Sequence, residues 1–343
     1  MIASHTGIRH GVPGSVNFPG SNTPIRNRAY AGPSDLAPAP RLTRALVEGS
    51  VQIQEAAWMG RQLMPDLFRT EWKMQIVVED DSHLLVYNTE RGELQVRARL
   101  KFTQATRDFE MTMFGLEAAL DRRLYTRIAD GAFRLPLGAA IRSRRGVALD
   151  IENRVALALS TPALWPAAHR ADQSGAPWNL AGGNFKAAFE LGVQQLLSVN
   201  NGYLRENLRP YMSHTAFQAA QADPTWLAWR ANVSDNRVDA EAMASYLQLT
   251  GPIVVADANV SVDGVQQSLW GPSAFIVLQT GVPDINTEHG EKRFALLHRV
   301  TNPTVFAPYD EPQIGADVFT FEDWALPVVH DFTAGYFMHD MVG

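Results

Sequence analysis

A chain of 343 residues, 46% hydrophobic and 19% charged, is long enough for one elaborate domain or two and excludes global disorder. Its formal net charge of -6 argues against a dedicated nucleic-acid binder, because affinity for phosphates rests on an excess of Lys and Arg. There is no cysteine, which excludes disulfides, thiolate catalysis and Cys-ligated zinc. No basic start leads into an apolar run, and no apolar stretch approaches about 18 residues, so a soluble chain without a membrane span is expected.

Met1 to about Pro40 is rich in Gly, Pro, Ser and Asn, without apolar periodicity and without an acid before Asp35. It reads as an extended arm whose anchors, Val16, Phe18, Ile25 and Tyr30, order only against another surface; a disordered tail is the alternative. Leu42 to Gln62 predicts a helix ended by Pro65, and Lys73 to Val78 a strand. Leu84 to Tyr87 then lead into a turn over Asn88 to Gly92. In the return run Leu94, Val96, Ala98, Leu100 and Phe102 share one face, and Glu93, Gln95, Arg97, Arg99 and Lys101 the other. Nine such residues span roughly 30 Å, so this hairpin reaches beyond a compact body. Its cationic face is read either as a solvated face or as one that pairs with acids on a neighbouring subunit.

The spacing of Phe114, Ala118, Asp121 and Leu124 predicts a helix over Phe109 to Ile128, interrupted by Leu135-Pro136-Leu137-Gly138. A long helix is expected over Ala148 to Leu159, with Asp150 and Glu152 near its start, where the helix dipole favours acids. Trp165 to Pro177 has loop composition. From Asn184, Phe185, Ala188, Phe189, Val193, Leu196 and Leu197 form one buried helical face that Asn200, Asn201 and Gly202 stop. A strand over Leu208 to Met212 follows, with Pro210 placing it at an edge or a strand start. Ser213 caps a helix over Thr215 to Gln221 that Asp223-Pro224 closes. Beyond it come a helix over Val238 to Gln248, an Asp263-Gly264 turn, and strands at Pro252 to Val255, Ser273 to Gln279, Val305 to Tyr309, Val318 to Trp324 and Gly335 to Val342. The pattern is α+β, without the βαβ rhythm of a doubly wound sheet.

Catalytic constellations are missing from this sequence. It has no phosphate loop, GxGxxG, GxSxG elbow or HExxH motif. Gly182-Gly183 opens a helix without a strong preceding strand and makes a poor anion seat. His330-Asp331 with His339-Asp340 is the one metal-like cluster, weighed against ordinary strand-end polar residues, and no catalytic, cofactor or metal residue is assigned. A soluble α+β metal-dependent hydrolase is the enzyme alternative.

An N-terminal arm, a long hairpin, a long helix, the unit containing NLRPYMSHTAFQAAQADPTW and a C-terminal strand ending YFMHDMVG follow one another. This order resembles the major capsid protein of tailed bacteriophages, the Hong Kong phage capsid fold shared with encapsulin shell proteins. The resemblance implies the arm and first helix at 1–62 and a peripheral domain at 63–178. That domain would hold the extended loop at 80–104 and the spine helix within 139–159. It further implies an axial domain with a central sheet at 179–307, and strands at 308–343 that return to the peripheral domain. It implies no enzymatic activity and no cofactor, and pentamers and hexamers in the head shell of a virion assembled in the host cytoplasm. The partners implied are other copies of the chain, a portal protein, a separate scaffold or cement protein, and packaged double-stranded DNA held without sequence readout; no membrane is implied. Phe18, Tyr30, Arg91, Glu93, Arg97, Arg99 and Lys101 are the expected inter-subunit contacts. An encapsulin-type compartment is the alternative shell.

Overall fold

The computed structural model describes residues 57–71, 73–78, 105–121, 131–200, 203–232, 239–249, 251–279, 292–300, 304–306, 308–311 and 315–343. All of them belong to one compact unit, residues 38–343. Two sheets organise it.

The first is six-stranded and built around β14 (Ala316–Val329), whose 14 residues pair on one side with β4 (Thr112–Asp121). On its other side β14 meets in turn β13 (Tyr309–Glu311), β12 (Thr304–Val305) and β11 (Ala295–Arg299), and β1 (Asp66–Phe68) adds in parallel to β11. Alternate residues of β14 face opposite ways. Phe321 and Ala325 enter the main core with the long helix α2 (Gly131–Leu159), while Trp324, Leu326 and Val328 join a separate small cluster with Met111 and Phe109.

The second sheet runs β5 (Arg170–Asp172), β15 (Gly335–His339), β10 (Ser273–Leu278), β6 (Leu208–Met212), β7 (Val254–Val255). Every residue of β10 is buried, as a central strand covered on both faces requires. Helix α3 (Phe185–Val199) lies on it, started by the Asn184 side chain accepting from Ala187 N–H, and α4 (His214–Gln221) starts the same way at Ser213. Buried Asp223 accepts from Thr225 and Trp226 N–H and so caps α5 (Pro224–Asn232); α6 (Ala240–Tyr246) follows, capped by Asp239. Asp263 and Gly264, at φ 51° and 81°, turn the hairpin β8 (Asn259–Val262) to β9 (Val265–Ser268), the left-handed pair a two-residue turn demands.

Trp165 ties the halves together. Its Nε1–H donates to Leu159 O at the end of α2, and its ring packs between Phe294, which precedes β11, and Phe337 of β15 at 5.5 Å from each.

Several expectations need correcting. Phe109 to Ile128 is strand where described: β3 (Ala105–Glu110) and β4 are joined by Met111. Residues four apart, such as Phe114 and Ala118, satisfy a period of two as well as one of 3.6, so that spacing does not discriminate. The long helix starts at Gly131 and runs 29 residues through Leu135-Pro136-Leu137-Gly138, Pro136 falling in its second turn, where it forgoes one intrahelical bond. Asp150 and Glu152 therefore lie in its final third, out of reach of a dipole effect confined to the first turn. The expectation for Pro210 holds: β7 pairs only Tyr211 and Met212, so the part of β6 at Pro210 has β10 on one side and a free edge on the other, where the missing N–H interrupts no ladder. Within 308–343, β13 and β14 lie in the first sheet and β15 pairs with β10 and β5 in the second, while β11 lies in the first sheet. Of Leu42 to Gln62, only α1 (Met59–Leu63) is described as helix.

Candidate assembly surfaces

The seven expected contact residues, Phe18, Tyr30, Arg91, Glu93, Arg97, Arg99 and Lys101, lie outside the described residues, as do the N-terminal arm and the hairpin at 80–104. The base of that hairpin is described. β2 (Lys73–Val78) and β3 pair antiparallel from Lys73↔Glu110 to Val78↔Ala105, so residues 79–104 depart from the end of β3 remote from β4.

Three polar constellations hold this region and its neighbours. In the first, Glu152, on α2 and 2% exposed, accepts from Gly60 N–H at 2.7 Å and from Trp270 Nε1–H at 2.8 Å. Burial raises its pKa against those two bonds, which fasten α1 and the segment after β9 to the long helix. In the second, Arg299 of β11 donates to Asp323 of β14 at 2.6 Å and to Asp66 of β1 at 2.9 Å, and Arg61 reaches the same Asp66 at 3.2 Å. Desolvation raises the pKa of Asp323, yet the guanidinium 2.6 Å away holds the pair together.

The third is a carboxylate pair on the face of the first sheet turned away from α2. Glu117 of β4 stands opposite Thr320, and Glu322 of β14 opposite Gly115, so the two are diagonal neighbours about 7–8 Å apart by sheet geometry. Glu117 accepts from Tyr309 Oη–H at 3.2 Å and Thr320 Oγ1–H at 3.3 Å. Glu322 is 7% exposed and its Oε2 has no hydrogen-bond partner. Burial, then the charge of Glu117, raises its pKa. β4, β13 and β14 themselves contain no Lys, Arg or His.

The His-Asp pairs singled out in sequence are not brought together. His330 Nε2 lies 3.2 Å from Nε2 of buried His298. Arg69 Nε donates to His298 Nδ1, which puts the His298 proton on Nε2, facing His330. Asp331 binds Lys292 at 3.1 Å and caps Thr333. His339 instead meets Asp340 at 2.7 Å and Asp172 of β5, the three offering ligand-type atoms within 4.8 Å. Ordinary bonds account for this cluster, since Asp172 also accepts from Ser174 N–H. The N-terminus of α3, after Gly182-Gly183, is likewise engaged: Phe185 N–H donates to Asp223 Oδ2 and Ala187 N–H to Asn184 Oδ1. Among the described residues no helix is long and apolar enough to cross a membrane.

Spacing alone predicts helix around Glu117, and the strands of Glu117 and Glu322 are far apart in the chain, so the sequence does not bring the two together. Alternation of Met113, Gly115, Glu117 and Ala119 against Phe114, Leu116, Ala118 and Leu120 was the available signal.

No family model and no curated protein matches the chain. Solved structures do. A phage-related protein from Bordetella bronchiseptica RB50 matches at 21% identity with a TM-score of 0.70, over 89% of this chain and 98% of that one. The capsid of cyanophage P-SCSP1u matches at 8% identity and TM-score 0.53, over 81% and 86%. The mature capsid of bacteriophage PhiM1 matches at 10% identity and TM-score 0.50, over 82% and 86%.

Proposed function

We propose that this chain, which has the tailed-phage capsid fold, is a major capsid protein that assembles through pentamers and hexamers into the head shell of a tailed double-stranded DNA bacteriophage. The observation that supports the reading is the likeness in fold to capsid subunits over most of both chains, 81% of this chain on 86% of the cyanophage one. In this reading α2 with the first sheet is the peripheral domain and the second sheet with α3 the axial domain. Residues 79–104 are the extended loop, its base formed by β2 and β3.

Closed shells need heterologous contacts that close into rings, and long segments reaching a neighbour bury more area than compact bodies do. Exposed Leu157 near the end of α2, Leu164 in the turn that follows it, and Leu191 on α3 supply apolar surface for such contacts. Portal, scaffold or cement proteins and packaged DNA are the partners of this reading, held without base readout and without an enzymatic step. Assembly takes place in the host cytoplasm and the product is the virion.

Negative-stain microscopy with mass determination on the expressed protein tests it. Shells, or free pentamers and hexamers, are expected, with nuclease-protected DNA in particles from infected cells. A monodisperse species of 37.9 kDa that never assembles, with or without candidate scaffold, overturns the reading, and shells filled with a cargo enzyme replace it with an encapsulin-type compartment.

A further inference from the structure

The first sheet ends on an open edge. Among the described residues β4 pairs only with β14, along all ten of its residues, and the backbone of residues 112–120 bonds to nothing else. In an antiparallel ladder alternate residues turn their N–H and C=O away from the partner strand, so β4 presents an unfilled row of both. Folded proteins guard such rows with Lys, Pro, a bulge or a covering element. β4 has no Lys, Arg or Pro, and its Glu117 is drawn toward β14 by the bonds it accepts from Thr320 and Tyr309. Met113 and Leu116 stand exposed on its two faces.

Gly115 lies in the middle of this strand without a reason inside the subunit. Its φ is not positive, and a Cβ there would meet nothing closer than 3.6 Å. Glycine in a strand interior weakens it and marks a place where another backbone comes close.

Two copies of the edge fit one another about that glycine. With Gly115 opposite Gly115 in an antiparallel pair, Phe114 lies opposite Leu116, Met113 opposite Glu117 and Thr112 opposite Ala118, the members of each pair sharing a face. Phe114 is buried against α2 with Arg154 over its ring, so exposed Leu116 of the other copy gains an aromatic cross-strand neighbour. The two Glu117 residues fall four positions apart along the strands, about 13.6 Å, so like charges are not set opposite each other.

We propose that β4 is a two-fold contact, its edge pairing antiparallel with β4 of a second copy of this chain about Gly115. The proposal rests on the shell reading above, in which rings of five and six must also be joined to one another, and it names the strand that joins subunits of adjoining rings.

The chain has no cysteine, so a single variant tests the axis. Opposed residues of an antiparallel pair have Cα atoms about 4.5–5.5 Å apart, within disulfide reach. Shells of Gly115→Cys, mildly oxidised, are expected to give a disulfide-linked dimer as the main species. Ala119→Cys, on the same face, places the two thiols eight residues apart along the strands, roughly 27 Å, and is expected to give none. Leu116→Lys changes an exposed side chain and guards the edge, so rings are expected to persist while closed shells fall about ten-fold or more. Circular dichroism of the unassembled subunits checks that each variant folds.

If the wild type forms neither rings nor shells, the shell reading fails. If it forms shells, absence of the Gly115→Cys dimer, an equal dimer from Ala119→Cys, or normal shells from folded Leu116→Lys overturns the two-fold contact. Hydrogen exchange then identifies the kind of occupant: protection of residues 112–120 in shells that lack the dimer would assign the edge to another protein or to a different segment of the chain, which also overturns it.

Discussion

Glu152 and His298 show how a single titratable side chain reports on this fold. Glu152 accepts from two N–H groups on the same oxygen, Oε1, so an uncharged acceptor there would keep both bonds. Glu152→Ala strands both donors in the core and is expected to lower stability by about 2–4 kcal/mol, while Glu152→Gln, which keeps an acceptor, lowers it far less. Urea denaturation of the two variants checks this. Because its folded pKa is raised, whatever the protonated form contributes is present below about pH 4.5 and lost as pH rises through the folded value.

His298 runs the other way. Burial, with His330 and Arg69 beside it, pushes its pKa from 6.5 to about 3, so the folded state keeps it neutral while the unfolded chain takes up a proton below 6.5. The stability it contributes is full above 6.5 and falls by up to about 1.4 kcal/mol per pH unit toward 3. His298→Gln should accordingly show a flatter decline in denaturation midpoint between about pH 6.5 and 5 than the wild type. Equal slopes would mean that the His298–Arg69 contact does not govern the titration.

At the scale of elements, local chemistry was legible and long-range pairing was not. Asn184, Ser213 and Asp263-Gly264 each act on backbone within three residues, and the helix starts and the turn lie where those residues predict. β11 was missed because ALLHR is five buried residues whose strand character comes from β1 and β14 on either side. The Glu117–Glu322 pair is invisible for the same reason, since register across β4 and β14 creates it.

Packing between elements gives a prediction whose sign propensity alone gets wrong. Gly192 lies in α3, where Ala is favoured by about 1 kcal/mol on intrinsic grounds. A Cβ there would stand 2.6 Å from Tyr336 Cδ1 and 2.9 Å from Ile276 Cδ1, and the Tyr336 ring is fully buried in β15. Overpacking of about 1–3 kcal/mol should win, so Gly192→Ala lowers the thermal midpoint. A raised midpoint would show that helix and sheet slide apart easily.

For the whole molecule, the α+β class and the capsid fold were legible from the order of parts. The division into halves was less so, because neither sheet is a continuous stretch of sequence. The first draws strands from both sides of the second, and the chain passes from β10 to β11 and from β14 to β15 in crossing between them. No sequence boundary marks such a passage, since Trp165, Phe294 and Phe337 fill one aromatic core spanning both.

The position of β15 also sets a clock. It lies between β5 and β10, yet it is made after every other strand of both sheets. On a ribosome adding about 5–20 residues per second, β5 and β10 wait without the strand that joins them until residues 335–339 have emerged. Until that strand is added the second sheet stays split between β5 and β10, so its closure is a late event in folding during synthesis.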